Sequence, residues 1–208
     1  MKKLIILGAG GFSKSIIDAL DLNQYIITGF IDSLKKGKHQ GYKILANSIE
    51  EVLNKEEYVY FIGIGEPKTR KEYFYQLKKY NLNFINIIDK TAILSRNVVL
   101  GEGIFIGKMV IVNADAKIGD NVILNTRSLI EHGNQIGAHT NISTNTVLNG
   151  DVIVGEASFL GSCTVVNSQL KIGSNSVIGS GSVVIRDIDD NVVVAGSPTR
   201  FIRRNINE

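Results

Sequence analysis

From Leu94 onward an aliphatic residue falls at every sixth position. Leu94, Leu100, Ile106, Val112, Ile118 and Leu124 open a series that runs without a slip to Val184. A spacing of six drifts around the 3.6-residue period of a helix, so no helical face can collect these side chains. It suits short strands, each with an inward residue, separated by a corner every six residues. The position after each aliphatic is usually Gly, Asn or Ser, as at Gly101, Asn113 and Ser143. Such residues tolerate the positive φ that tight corners take, so the corners are expected there. Three hexads make one coil, and residues 89–208 therefore predict a triangular solenoid of about five coils.

Residues 1–88 follow a different rule. An apolar strand over residues 3–7 meets Gly8-Ala9-Gly10-Gly11, and a helix begins near residue 15. Strands are expected over 26–31, 58–64 and 84–88, with helices over 49–53 and 68–80. Alternating strand and helix predict a small open parallel sheet covered by helices. The fold class is thus a small Rossmann-like α/β domain at the N-terminus, followed by a parallel β-helix.

Composition narrows the function. Residues 1–90 hold 14 Lys+Arg against 10 Asp+Glu and the remainder 9 against 10, with no basic stripe of the kind a duplex binder uses. No apolar run is long enough to cross a bilayer, and Leu4–Leu7 meets glycine before a leader core can form. A single cysteine, Cys163, excludes an intramolecular disulfide and fits a reducing compartment. A cytoplasmic protein with no nucleic-acid or membrane partner is expected.

Two constellations carry chemistry. Gly8, Gly10 and Gly11 lie between a strand and a helix, where free backbone N–H groups form an anion site for a diphosphate. Ser13 takes the third fingerprint position, and Asp32 lies at the next strand end, suited to a sugar hydroxyl or a base. With only half of a dinucleotide domain present, a nucleotide diphosphate is favoured over NAD. The second constellation is Glu131-His132, in which Glu131 takes a corner slot that most coils give to Gly, Asn or Ser. A zinc site of three histidines is not expected, because only His132 and His139 lie in the repeat; no metal is predicted. His139 reads as an outward polar residue, His39 as a loop residue, and Cys163 as a small core or interface residue.

Beyond Val184 the rhythm breaks into a tail, Asp187 to Arg204. The hexads and this tail resemble the hexapeptide-repeat acyltransferases, which form a left-handed parallel β-helix. With the glycine-rich first domain and the Glu-His pair, the whole chain resembles their bacterial sialic acid O-acetyltransferase and UDP-4-amino-sugar N-acetyltransferase subgroup, enzymes of surface glycan biosynthesis. The resemblance implies an acetyl-CoA-dependent acetyltransferase acting on a nucleotide-linked amino sugar. Alternatives are O-acetylation of a sialic or nonulosonic acid, or a non-catalytic trimeric scaffold that binds nucleotide sugars. It implies His132 as general base with Glu131 orienting it. It places acetyl-CoA at Gly150, Ser162, Ser180, Ala195 and Arg203, the nucleotide sugar at Gly8, Gly10, Gly11, Asp32 and Gly65, and the assembly as a homotrimer. The chain departs from the subgroup at Phe12 and Asn141, where histidines are common, and at Gly133, where an acid commonly follows the catalytic histidine.

Overall fold

The computed structural model describes residues 1–205. Its N-terminal sheet has the order β3-β4-β2-β1-β5-β6, from β1 (Lys2–Leu7), β2 (Tyr25–Ile31), β3 (Lys38–His39), β4 (Tyr42–Ala46), β5 (Val59–Ile62) and β6 (Asn83–Phe84). Leu4 through Leu7 are buried on both faces, as a central parallel strand requires. Two helices cover the sheet, α1 (Phe12–Ala19) and α2 (Pro67–Lys79). The chain leaves β1 toward β2 on one side, while β5 pairs on the other. The loops after β1 and β5 therefore meet at the switch point where open α/β sheets bind ligands. The antiparallel β3–β4 pair was not expected, and residues 49–51 form a single 3-10 turn in place of a helix. The strand expected over residues 84–88 is split: β6 ends the first sheet, and Ile87–Ile88 already pairs with Phe105–Ile106 in the solenoid.

The remainder is a left-handed parallel β-helix. Up to Val183–Val184 its three faces are built from two-residue strands, successive strands of a face lying 18 residues apart in parallel register, as Phe105–Ile106 on Ile123–Leu124. Face one begins at Ile87–Ile88, face two at Ile93–Leu94 and face three at Val99–Leu100. The second residue of each strand is the hexad aliphatic, and these side chains form one continuous core from Ile104 to Val194. In the upper coils hydroxyls replace apolar residues two positions earlier. Most donate to corner carbonyls, as Thr146 Oγ1 to Gly161 O at 3.0 Å and Ser158 Oγ to Gly173 O at 2.6 Å, which satisfies them in the core; the buried Ser128 Oγ has no partner among the described residues.

The corners differ from the expectation. Positive φ falls not one but three positions after each aliphatic, at Asn97, Met109, Asp115, Asn121 and onward at intervals of six to Gly181. The small residues directly after the aliphatics answer to coil stacking instead. A Cβ on Gly137 would sit 2.6 Å from Glu156 N, and one on Gly155 2.5 Å from Ser174 N.

The two domains are joined by α2. Arg70, Phe74 and Leu77 make its buried stripe, and the Arg70 side chain enters the solenoid with the residue only 1% exposed. Its guanidinium donates to Asn121 O at 3.2 Å, His139 O at 2.8 Å and Gly65 O at 3.2 Å. His139 is buried, not outward as expected: its ring lies against Phe74 and its Nδ1 is 2.8 Å from Asn121 Nδ2. Burial pushes this imidazole down to about 4, so it is neutral at physiological pH. Cys163 occupies a positive-φ corner and is exposed, so of the two expected places, core or interface, the core is ruled out.

Candidate active site

Gly8, Gly10, Gly11, Asp32 and Gly65 share one cavity of about 340 Å³ at the switch point. Gly8 has φ +93° and a Cβ there would meet Ile64 at 2.6 Å, so its glycine serves the fold. Gly10 and Gly11 face open space, and α1 carries no side-chain cap, which leaves its first N–H groups free toward the cavity. The N-terminus of α2 borders the same cavity but is occupied: Glu66 accepts from Lys68 N–H at 2.9 Å and Thr69 N–H at 2.6 Å. Of the two helix ends, only that of α1 is open to a phosphate.

Asp32 ties the glycine loop to the neighbouring turn. Its carboxylate accepts from Ala9 N–H at 2.8 Å, Leu34 N–H at 3.0 Å and Lys35 N–H at 2.9 Å. Partial burial opposes ionisation, but these donors and the Lys35 charge outweigh it and hold the group below the usual carboxylate range. Ser13, in the third fingerprint slot, is buried and donates to Gly10 O at 2.7 Å. His39 Nε2 lies 2.8 Å from the same hydroxyl, so His39 belongs to β3 and braces the loop rather than standing free. Because the Ser13 proton is committed to Gly10, the His39 nitrogen is the donor in that contact.

A second cavity of about 420 Å³ lies between α1 and face one and shares Gly11, Phe12 and Gly65 with the first. Its remaining polar lining, Ser15, Asn125, Asn141, Ser143 and Ser162, carries no ionisable group. Asn141 donates Nδ2 to Gly65 O at 2.9 Å, while its buried Oδ1 has no partner among the described residues. Ser162 brings the expected acyl-donor residues to this cavity. Ser180 and Ala195 stack above it at the same corner, with Ser180 N 2.5 Å from where a Cβ on Gly161 would be and the Ala195 Cβ 2.7 Å from one on Gly179. Arg203 lies exposed on the closing strand Arg200–Arg204. A larger cavity, about 510 Å³ between α2 and face one, contains none of the residues singled out from the sequence.

His132 and Gly150 lie elsewhere, at the corner that follows face two. The imidazole covers Gly150 so closely that a Cβ there would sit 2.5 Å from Cε1. Glu131 accepts from Asn113 Nδ2 at 2.9 Å, and no hydrogen bond joins it to His132 among the described residues. The structure therefore gathers the nucleotide residues and Ser162 on one side and His132 with Gly150 on another, separated by the width of face two. Among the described residues no group of three His, Cys, Asp or Glu side chains is placed to hold a metal ion, and no helix is long and apolar enough to cross a membrane.

This architecture, a glycine-cradled α/β cavity set on a hexapeptide β-helix, is that of the hexapeptide-repeat acyltransferases. Residues 3–77 match the PglD N-terminal domain family. PerB from Caulobacter crescentus, solved with CoA and GDP-perosamine, is 28% identical and superposes with a TM-score of 0.89 over 97% of this chain and 98% of its own. The acetyltransferase domain of PglB from Neisseria gonorrhoeae is 26% identical, with a TM-score of 0.93 over 97% of this chain and 100% of its own. That domain has also been solved with acetyl coenzyme A. Uncharacterized protein L142 of Acanthamoeba polyphaga mimivirus is 30% identical over 103 residues, 49% of this chain; the match spans 20% of that relative's length. Over 97% of its length the chain is thus similar to acetyltransferases of this class.

Proposed function

We propose that the protein transfers the acetyl group of acetyl-CoA to an amine on a nucleotide-linked amino sugar. The carrying observation is the pair of joined cavities. The first offers the open α1 N-terminus to a diphosphate, and the second, uncharged and rich in hydroxyls and amides, suits the sugar that follows. The free Asn141 Oδ1 supplies an acceptor for a sugar N–H or O–H. The column Ser162, Ser180 and Ala195 leads away from this cavity along the β-helix, and CoA follows it, with Arg203 meeting its phosphates.

The separation of His132 from these cavities supports a trimer. The outward residues of face two, Ile93, Ile111, Leu129, Val147, Val165 and Val183, form an unbroken apolar ladder. Such a ladder is covered by association, and the partner's corresponding corner carries a second His132. In the reaction the amine lone pair attacks the thioester carbonyl. The C–N bond forms, His132 takes the proton from nitrogen, the oxyanion meets the Gly150 N–H, and the C–S bond breaks as that proton passes to sulfur, releasing CoA as its thiol.

The test is thiol release from acetyl-CoA with UDP-, GDP- and dTDP-linked 4-amino sugars, followed by mass analysis of the product. His132→Ala is expected to lower kcat by about 10²–10⁴-fold. Acetylation of hydroxyl acceptors alone would move the reading to O-transfer, and thiol release with none of them would leave a binding scaffold.

A further inference from the structure

We propose that Asp151, from the next coil, is the positioning acid for His132, a role the adjacent Glu131 does not fill. The inference rests on reading His132 as the base. Asp151 Oδ2 lies 4.0 Å from His132 Nδ1. The backbone fixes this neighbourhood, because Asp151 N–H donates to His132 O at 2.9 Å. Asp151 also stands directly over Gly133: a Cβ built on Gly133 would fall 2.1 Å from Asp151 Oδ1. The space that a side chain following His132 would fill already holds a carboxylate from the coil above. Both positions are left-handed corners, φ +68° at Gly133 and +59° at Asp151, and aspartate is among the few residues that accept that conformation readily.

Glu131 is committed in the other direction, to Asn113 on the preceding coil. Successive residues diverge at this corner, so adjacency in sequence does not bring the Glu131 carboxylate to the ring. Stacking in the solenoid does bring Asp151. A carboxylate at Nδ1 keeps the ring proton there and leaves the Nε2 lone pair to accept the amine proton. Both side chains are more than half exposed, and the 4.0 Å gap is closed by their rotation when substrates arrive.

The experiment combines imidazole ¹⁵N spectra of the full chain at about pH 8, where histidine is neutral, with steady-state kinetics. The proposal predicts a wild-type His132 carrying its proton on Nδ1, with Asp151→Asn shifting the population to Nε2–H. With acetyl-CoA and GDP-perosamine or dTDP-4-amino-4,6-dideoxyglucose, Asp151→Asn should lower kcat by about 10–100-fold while both KM values move less than about twofold. Asp151→Glu should restore most of the loss, and Glu131→Gln should cost less than Asp151→Asn. An unchanged tautomer in Asp151→Asn, or a larger kcat loss in Glu131→Gln, overturns the proposal. Should His132→Ala retain its kcat, the reading of the base falls, and the tautomer spectra still decide whether Asp151 orients the ring.

Discussion

Replacing Arg70 with methionine tests how the two domains are held together. The substitution keeps a stem of similar length and removes the guanidinium. Three hydrogen bonds are then lost: the buried His139 O and Asn121 O are left without this donor, while Gly65 O keeps that of Asn141 Nδ2. Hydrogen bonds from a charged donor contribute about 1.5–3 kcal/mol each, so the gross loss is roughly 5–9 kcal/mol. Methionine recovers part of this. Burial has pulled the arginine down to about 9, which shows that the folded protein holds the charge against a desolvation penalty. Relief of that penalty returns several kcal/mol and leaves a net destabilisation of about 2–4 kcal/mol. For a chain of this size the melting temperature should fall by roughly 5–15 °C. Urea unfolding followed by circular dichroism, with calorimetry in parallel, measures both quantities. A separate, earlier transition for the α/β domain is also expected, since the variant unfastens α2 from the solenoid. A stability change under about 0.5 kcal/mol, or a gain, would show that the carbonyls find other partners and that Arg70 does not fasten the domains.

Further outcomes follow from single features. His139 is held near 4 when folded against 6.5 when free, so between those pH values the unfolded chain binds the extra proton. Stability must therefore fall as pH drops from about 6.5 to 4, by up to about 3 kcal/mol, and urea midpoints at pH 7 and 5 should converge in His139→Asn relative to wild type. A Cβ on Gly10 meets nothing within 4 Å, so Gly10→Asp should fold normally. Its carboxylate repels a diphosphate, and KM for the sugar nucleotide should rise about tenfold or more while that for acetyl-CoA stays put; equal changes in both would trace the effect to folding. Val147→Glu places a charge in the middle of the apolar ladder, and light scattering should then report monomers in place of the proposed trimer.

The β-helix was legible because the hexad records a single quantity, which side chain points inward, and the solenoid repeats that demand at every strand. What lies outside the coil is not periodic. The burial of His139 depends on where α2 lands on the solenoid, and no local pattern states that. Arg70 had a faint signal in its spacing from Phe74 and Leu77, which puts it on the buried stripe of α2, but the surrounding lysines make the helix look like a solvated face. The site divides in the same way. The strand, glycine turn and helix order pointed to Gly8, Gly10, Gly11 and Asp32, and the family resemblance added Gly65, which lines the same cavity. Asp151 comes to His132 because it stacks 18 residues on from the adjacent Gly133, a relation that adjacency in sequence conceals. The corner glycines were visible, yet their cause was misread as backbone conformation when close packing of successive coils explains them.

A parallel solenoid is a polymerisable object, since its last coil offers the same unpaired backbone that its first coil accepts. Here face one ends differently: Val192–Ala195 receives Arg200–Arg204 in antiparallel pairing. That reversal presents a strand whose direction no incoming parallel coil can continue, and it carries Arg200, Arg203 and Arg204. Like charges along an edge oppose a second copy, so the tail acts as a stop against fibre growth as well as a lid on the core. Loss of that strand would be felt first as concentration-dependent filaments, well before the enzyme lost its fold.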